Sequence, residues 1–402
     1  MVEEDFHTPI NIIEPSMSQS RKKPILLPHR LSDDVLFDVL TRLPVKSLIR
    51  FRCVSKSWYS IITKPIFINT HLDEVKSLSN NNNNCNNGYL LCNPQPRYAW
   101  SSRDLCTVVC NSDHRLTEIS RFFELPFHSA RVVGFCNGIF CFAGEEQFIH
   151  RFWPILEIYL WNPSIRKFKM FKATPYTTPY VSVTLGLAYH SQKRDYKILR
   201  IGCFKEQPPV AEVYTLSSNS WRKFVVSVES LSPSGGSVTS IVGQSFLFFN
   251  GSLHSIAFIQ GYKFILSFDV NDEKFREIIL PQNYLDGLVL ISEQLVVFKG
   301  CLALIVFVNT QDEYIEECHI WVMKEYGIVE SWKVTKQIVP LGDVTSFFDC
   351  TKSGELLITA EIYPVQIYSF DPESLNVNYL SRDYEPKAYT ANLMESLVLL
   401  NE

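Results

Sequence analysis

Side chains able to do acid–base, nucleophilic or metal chemistry are plentiful in this 402-residue chain, but their spacing does not join them. The 9 histidines are scattered. His190 and His254 sit at the ends of strand-like segments and read as polar side chains satisfied by their neighbours rather than as bases. The carboxylate pairs Glu145–Glu146 and Glu316–Glu317 are adjacent, so on a strand their members point to opposite faces and cannot share a proton. Eleven cysteines, with spacings such as Cys106 to Cys110 and Cys136 to Cys141, contain no C-x-x-C pair, and nearby histidines follow no zinc spacing. They read as small buried hydrophobes, and no metal or other cofactor is expected. There is no G-x-S-x-G, H-E-x-x-H, Walker loop or dinucleotide glycine fingerprint. A non-catalytic protein is expected. The alternative is a hydrolase, or a ligand- or glycan-binding protein, whose site is assembled from distant loops.

Composition narrows the partners. Hydrophobic residues make up 46% and charged residues 20%, which describes a folded chain. A net charge of -4 and a pI near 6.2 argue against nucleic acid, which demands a basic face for counterion release. The 28 Phe, 18 Tyr and 7 Trp suit strands. No apolar run reaches the 18 or so residues of a membrane span, and "CLALIVFV" from Cys301 has the length of a buried strand. The opening "MVEEDFHTPINIIEPSMSQSRKKP" lacks an apolar leader core, so reduced thiols and a cytoplasmic or nuclear location are expected.

Two kinds of element must position whatever site exists. Val35, Leu36, Val39, Leu40 and Leu43 form one helical stripe. Ser32 is placed to cap it, with Asp33 and Asp34 in the first turn. Pro44 cannot continue that helix but suits the start of the next, which carries Leu48 and Phe51. A third helix opens near Ser55 and carries Trp58, Ile61 and Ile62. Three short helices offer more apolar surface than they can hide among themselves, so part of the stripe, with Val54, is expected to be interface. The asparagine run from Asn80 to Asn87 reads as a mobile tether.

Beyond it the chain reads as strands, and the strands repeat. "IYLWNPSIRKFK", "VYTLSSNSWRKF", "LSFDVNDEKFREI", "IWVMKEYGIVESWKV" and "IYSFDPESLNVNYL" each end a strand in a polar turn and begin another. They recur about every 47 to 54 residues, at Trp161, Tyr214, Phe268, Trp321 and Tyr368. Upstream of several copies lies a strand with a glycine start, as in "CNGIFCF", "FNGSLHSIAF", "FKGCLALIVF" and "KSGELLITA". The period matches propeller blades and predicts about six of them. With few glycines and one Gly-Gly doublet, Gly235–Gly236, the propeller is kelch-like in period only. The fold class is therefore α+β multidomain: three helices, then an all-β propeller.

The segment "LSDDVLFDVLTRLPVKSLIRFRCVSKSWYSIITKPIFINTHL" resembles the F-box, and "RLPVKSLIRFRCVSKSW" resembles that of plant F-box proteins. "VVGFCNGIFCF", "YLWNPSIRKFK", "GLAYHSQKRDYKILRI", "AEVYTLSSNSWRKF", "IWVMKEYGIVESWKV" and "YTANLMESLVLL" resemble the plant F-box-associated domain, of the F-box/kelch-repeat family that includes relatives of the S-locus F-box proteins. The expected division is an N-terminal arm (1–24), an F-box (25–72), an Asn-rich linker (73–88) and the propeller (89–402).

The resemblance implies a substrate receptor of an SCF-type ubiquitin ligase. Its F-box docks on a Skp-type adaptor, and through it on cullin and a RING subunit, while the propeller binds the protein to be ubiquitinated. It implies adaptor contacts at Leu31, Val35, Leu36, Val39, Leu40, Leu43, Pro44, Val45, Leu48, Phe51 and Val54. Trp58, Ile61 and Ile62 then close the small core. Ser32 stands where the family usually has proline. Target-binding residues are not identified, but loops on a rigid scaffold carry recognition. Candidates are "KATPYTTPYVS" after Phe171, "FKEQPPVA" after Cys203 and "SLSPSGGSVTS" after Glu229.

Overall fold

In the computed structural model Ser32 opens the first helix, its hydroxyl accepting the Val35 N–H at 3.4 Å. The structure describes residues 32–402 except 82–87, 93–103, 111–115, 125–129, 146–155, 177, 179, 229–236, 244, 311–315, 340–343, 361–365, 382–389, 393 and 401–402. The expected arm 1–24, Leu31 and most of the asparagine run lie outside the described residues.

Four α-helices follow one another where three were expected: α1 (Asp33–Thr41), α2 (Val45–Phe51), α3 (Lys56–Ile62) and α4 (Pro65–Asn81). Ser55 caps α3, its hydroxyl accepting the Trp58 N–H at 3.1 Å. The fourth helix corrects the sequence reading, and it takes up the first part of the expected linker. Pro65 occupies its first position, where a missing N–H costs nothing. Phe67, His71 and Leu72 then lie on one inward stripe, at 0%, 1% and 1% exposure. Phe67 meets Phe37 of α1 edge-on at 5.2 Å, and the His71 Nε2 lies 3.0 Å from the Leu43 carbonyl, tying α4 to the turn between α1 and α2. Polar residues beyond Leu72 read locally as a tether, yet the inward stripe is enough to carry the helix on.

The repeated phrases are hairpins. Each "WNPSIRKFK"-like copy is the outer hairpin of a sheet, as in Leu156–Asn162 with Lys167–Lys172, or Val210–Thr215 with Ser220–Val225. Each glycine start is the turn of an inner hairpin. At Asn137–Gly138 and at Lys299–Gly300 both turn residues have positive φ (49° and 81°, 47° and 80°), the two-residue turn that matches strand twist. The run from Cys301 is a strand, Cys301–Thr310, with Leu302–Val308 buried throughout.

The described strands pair into six antiparallel sheets. Five have the four strands of a regular blade. The fourth along the chain departs from that pattern with five, because Ser240–Ile241 and Leu247–Phe249 both pair with Ser252–Ile259. Thr390–Asn392 pairs with Gly88–Cys92, so a late strand completes the first sheet and closes the ring. Apolar clusters fill the gaps between neighbouring sheets. Leu160 of the Arg131–Lys172 sheet packs in one cluster with Leu187 of the next, and Phe307 with Phe347 in another. These sheets thus cover one another's faces, as radial stacking requires.

The helical unit does not hang free. Leu72 joins a propeller cluster, Arg194 pairs with Asp73 at 3.0 Å, and the Lys76 ammonium lies 4.3 Å from the centre of the Tyr189 ring. The tether reading, with slack between two zones, gives way to direct docking.

Candidate adaptor interface and target face

The apolar stripe of the helical unit divides in two. Leu40, Val45 and Leu48 are buried, packed with Ile61, Ile62 and Phe67 and covered by Leu397 and Leu400 from the far end of the chain. Val35 and Val39, one turn apart on α1, are each 47% exposed, and Val54 after α2 is 64% exposed. Leu36, Leu43 and Phe51 lie between these extremes, and Pro44 is exposed. Trp58 is half-buried and meets Phe51 edge-on at 5.1 Å, with Ile61 and Ile62 beneath. Tyr59 and Ile66 add exposed apolar surface that the sequence reading did not single out. An amphipathic pattern shows a helix has an inward face; which of two neighbouring apolar residues that face includes is decided by what packs on it.

At the other end of the propeller two candidate loops meet. Arg200 donates from Nη1 to the Thr174 carbonyl at 2.7 Å and to Glu212 Oε2 at 2.8 Å, and the Tyr176 ring lies 3.8 Å from its guanidinium carbon. Tyr176 also meets Phe204 edge-on at 5.2 Å, and Thr178 donates to Gln207 at 3.4 Å. Burial pushes the Tyr176 hydroxyl well above the ordinary phenol range, so it stays protonated. "KATPYTTPYVS" and "FKEQPPVA" are therefore held together on one buried ion pair, at the end of Asp195–Phe204 away from Arg194 and the helices. Ten residues of strand separate those ends by about 30 Å. Of the third loop, 229–236 lie outside the described residues.

The hub of the propeller holds a cavity of about 320 Å³ lined by Val133, Phe246, His254, Glu293, Leu295 and Asp349 among others. It is not purely aliphatic. Its polar groups are nevertheless engaged. His254 Nε2 lies 2.7 Å from the Tyr326 hydroxyl, and burial lowers the ring to about 4, which keeps it neutral. Glu293 accepts from Tyr284 at 3.0 Å and pairs with Lys263. Ser255 donates to the Val242 carbonyl at 3.0 Å, so this hydroxyl does not face the imidazole as a nucleophile would. His190 accepts the Lys193 N–H within its hairpin at 3.2 Å. Glu316 accepts the Val344 N–H while Glu317 binds His319, so the adjacent pair serves separate partners.

Among the described residues no group of three His, Cys, Asp or Glu is placed to hold a metal ion, and no helix is long and apolar enough to cross a membrane. Cys53, Cys136, Cys141, Cys203, Cys301, Cys318 and Cys350 are free thiols, and burial pushes Cys136 up to about 12.

Comparison with known proteins matches the F-box associated beta propeller domain over residues 79–381 and the F-box domain over residues 28–70. An F-box/kelch-repeat protein of Arabidopsis thaliana is 27% identical over 79% of this chain and 81% of its own length. The F-box protein CPR1 of the same plant is 25% identical over 91% of this chain and 88% of its own. Among solved structures, the β-propeller domain of the Trilobed protease from Pyrococcus furiosus aligns with a TM-score of 0.36 and 14% identity, covering 74% of this chain and 85% of that one.

Proposed function

Given that the chain belongs to the F-box associated beta propeller domain family and carries an F-box before that domain, we propose that it is the substrate-recognition subunit of an SCF-type ubiquitin ligase. The observation that carries this reading is the exposed apolar set on the helical unit, Val35, Val39 and Val54. Exposed apolar side chains gathered on one small unit mark an interaction site. A Skp-type adaptor covers them, with Pro44 and the half-buried Leu36, Leu43 and Phe51 completing the contact. Leu40, Val45 and Leu48 shape that surface from below. Cullin and a RING subunit follow through the adaptor.

The target protein binds at the Tyr176–Phe204 end of the propeller. The chain itself forms and breaks no bond. Its contribution is effective concentration, since holding a lysine beside an activated ubiquitin turns a bimolecular encounter into a nearly intramolecular one. The five-stranded sheet serves as the sixth blade of the ring, and the protein works in the cytoplasm or nucleus.

The test is capture of a purified Skp-type adaptor by the full chain and by Val39→Asp. The reading expects the wild type to bind and Val39→Asp to lose binding with unchanged thermal unfolding. Equal capture by both proteins overturns it.

A further inference from the structure

Met394–Leu400 is a segment with two faces. On one, Leu397 and Leu400, 1% and 2% exposed, enter the helical core beside Leu40 and Leu48. The Glu395 carboxylate accepts the N–H of Val45, the first residue of α2, at 2.8 Å. Pro44 precedes it at the N-cap and makes no side-chain hydrogen bond, so this donor's partner comes from residue 395.

The other face is gripped by the propeller. Asn162, fully buried, donates its amide to the carbonyls of Ser396 (2.9 Å) and Val398 (2.8 Å). Lys167 Nζ donates to the Leu400 carbonyl at 2.9 Å. Leu399 has a φ of 69° and joins the propeller cluster while Leu397 and Leu400 join the helical one. Seating is close: a Cβ on Gly138 would lie 2.5 Å from the Cβ of Ser396.

We propose that Met394–Leu400 is a positioning strap that fixes the helical unit in one orientation on the propeller. The adaptor surface and the Tyr176–Phe204 end then keep a set separation and direction. The purpose assigned to this rigidity rests on the ligase reading, because effective concentration falls as slack grows between two sites. The strap itself is a statement about geometry and is tested separately.

Spin labels carried, in the full chain, by a ketone-bearing unnatural residue placed at Lys56 on α3 and at Lys205 near the far loops, which leaves the native thiols unlabelled, report the distance between the two ends. Pulsed dipolar spectroscopy is expected to give one narrow distribution. Asn162→Ala with Lys167→Ala releases the propeller's grip without touching the helical core. It should at least double the width while affinity for a Skp-type adaptor stays within twofold. Should that pair also lower the propeller's melting, Leu397→Ser leaves the propeller's donors intact and should broaden the distribution alike, whereas Glu395→Gln, which keeps an acceptor oxygen, should not. A broad distribution in the wild type, or a narrow one in both releasing variants, overturns the strap. A narrow wild-type distribution that broadens in those variants, in a chain that binds no adaptor, leaves the strap standing and removes the ligase reading.

Discussion

In the propeller, Leu302–Val308 of one strand is buried on both sides because a sheet lies against each face. On α1, Val39 is 47% exposed while its neighbour Leu40 is 1% exposed. Both stretches are apolar in sequence, but only the strand belongs to an architecture that supplies two covers. The helical unit has one cover, made by α4, Leu397 and Leu400, and on its opposite side the described residues leave Val35, Val39 and Val54 exposed. Surplus apolar surface is thus informative only after the intramolecular cover has been subtracted, and of the stripe the subtraction leaves Val35, Val39 and Val54, with Tyr59 and Ile66 beside it.

The harshest way to break this contrast is Leu48→Asp, which places an unpaired charge in the helical core. The expected cost exceeds about 4 kcal/mol, more than a small unit can lose and stay folded. Hydrogen exchange should show α1 to α4 unprotected while amides of the sheets keep their protection. Loss of protection in both zones would mean they fold as one unit.

The equivalent blow to the propeller is Arg200→Ala. Arg200 and Glu212 pair at 2.8 Å with side chains 4% and 2% exposed. Removing one partner leaves Glu212 charged in a dry site and takes away the face on which Tyr176 stacks. A loss of about 3–5 kcal/mol is expected, read as a lower urea midpoint. A loss below about 1 kcal/mol would show that Lys223, 3.4 Å from Glu212, is partner enough.

Val39→Asp sharpens the comparison by acting on surface that folding does not use. Stability should move by no more than about 0.5 kcal/mol. Affinity for a Skp-type adaptor should fall about 10–100-fold, as expected when a buried interface anchor is replaced by a charge. Titration calorimetry on the purified pair measures it.

A pH effect separates the zones without touching the helices. Glu355 is 4% exposed, its Oε2 has no hydrogen-bond partner among the described residues, and burial with the nearby Asp371 charge raises its carboxyl to about 7. The folded state therefore holds this proton more tightly than the unfolded chain, whose carboxyl titrates near about 4.3. The group's contribution is full below that unfolded value and is lost as pH rises through about 7. Glu355→Gln should stabilise the protein by about 1–3 kcal/mol at pH 8 and change little near pH 4. Equal effects at both pH values would contradict this titration.

What the residues disclosed followed the range of the contacts involved. Outer hairpins such as Leu156–Lys172 and turns such as Asn137–Gly138 are set by neighbours a few residues apart, so the repeat is legible as written. The Ser32 and Ser55 caps are local in the same way. The fourth helix is not legible locally because its inward stripe runs into asparagines that carry no period. The split of the stripe was illegible for another reason. Val45 meets Glu395 across 350 residues, and nothing near Val45 or Leu48 announces that Leu397 and Leu400 will cover them. "YTANLMESLVLL" resembles a family segment, but resemblance does not say which side chains face which zone.

The smallest effect concerns Ser32, where the F-box pattern usually has proline. Its φ of -60° and ψ of 149° already suit a proline, and its carbonyl accepts the Leu36 N–H at 3.0 Å whatever the side chain. Ser32→Ala removes only the 3.4 Å bond to the Val35 N–H and should cost about 0.5–1 kcal/mol in α1. Ser32→Pro loses the same bond but restricts the unfolded chain, which returns about 0.4–1 kcal/mol. Thermal unfolding followed on the helical unit should therefore rank serine and proline together and alanine below them. Because Ser32 is exposed, adaptor affinity is the more revealing measurement. If proline binds the adaptor no better than serine, the substitution is neutral for docking, and α1 contacts its partner through Val35 and Val39 rather than through its first turn.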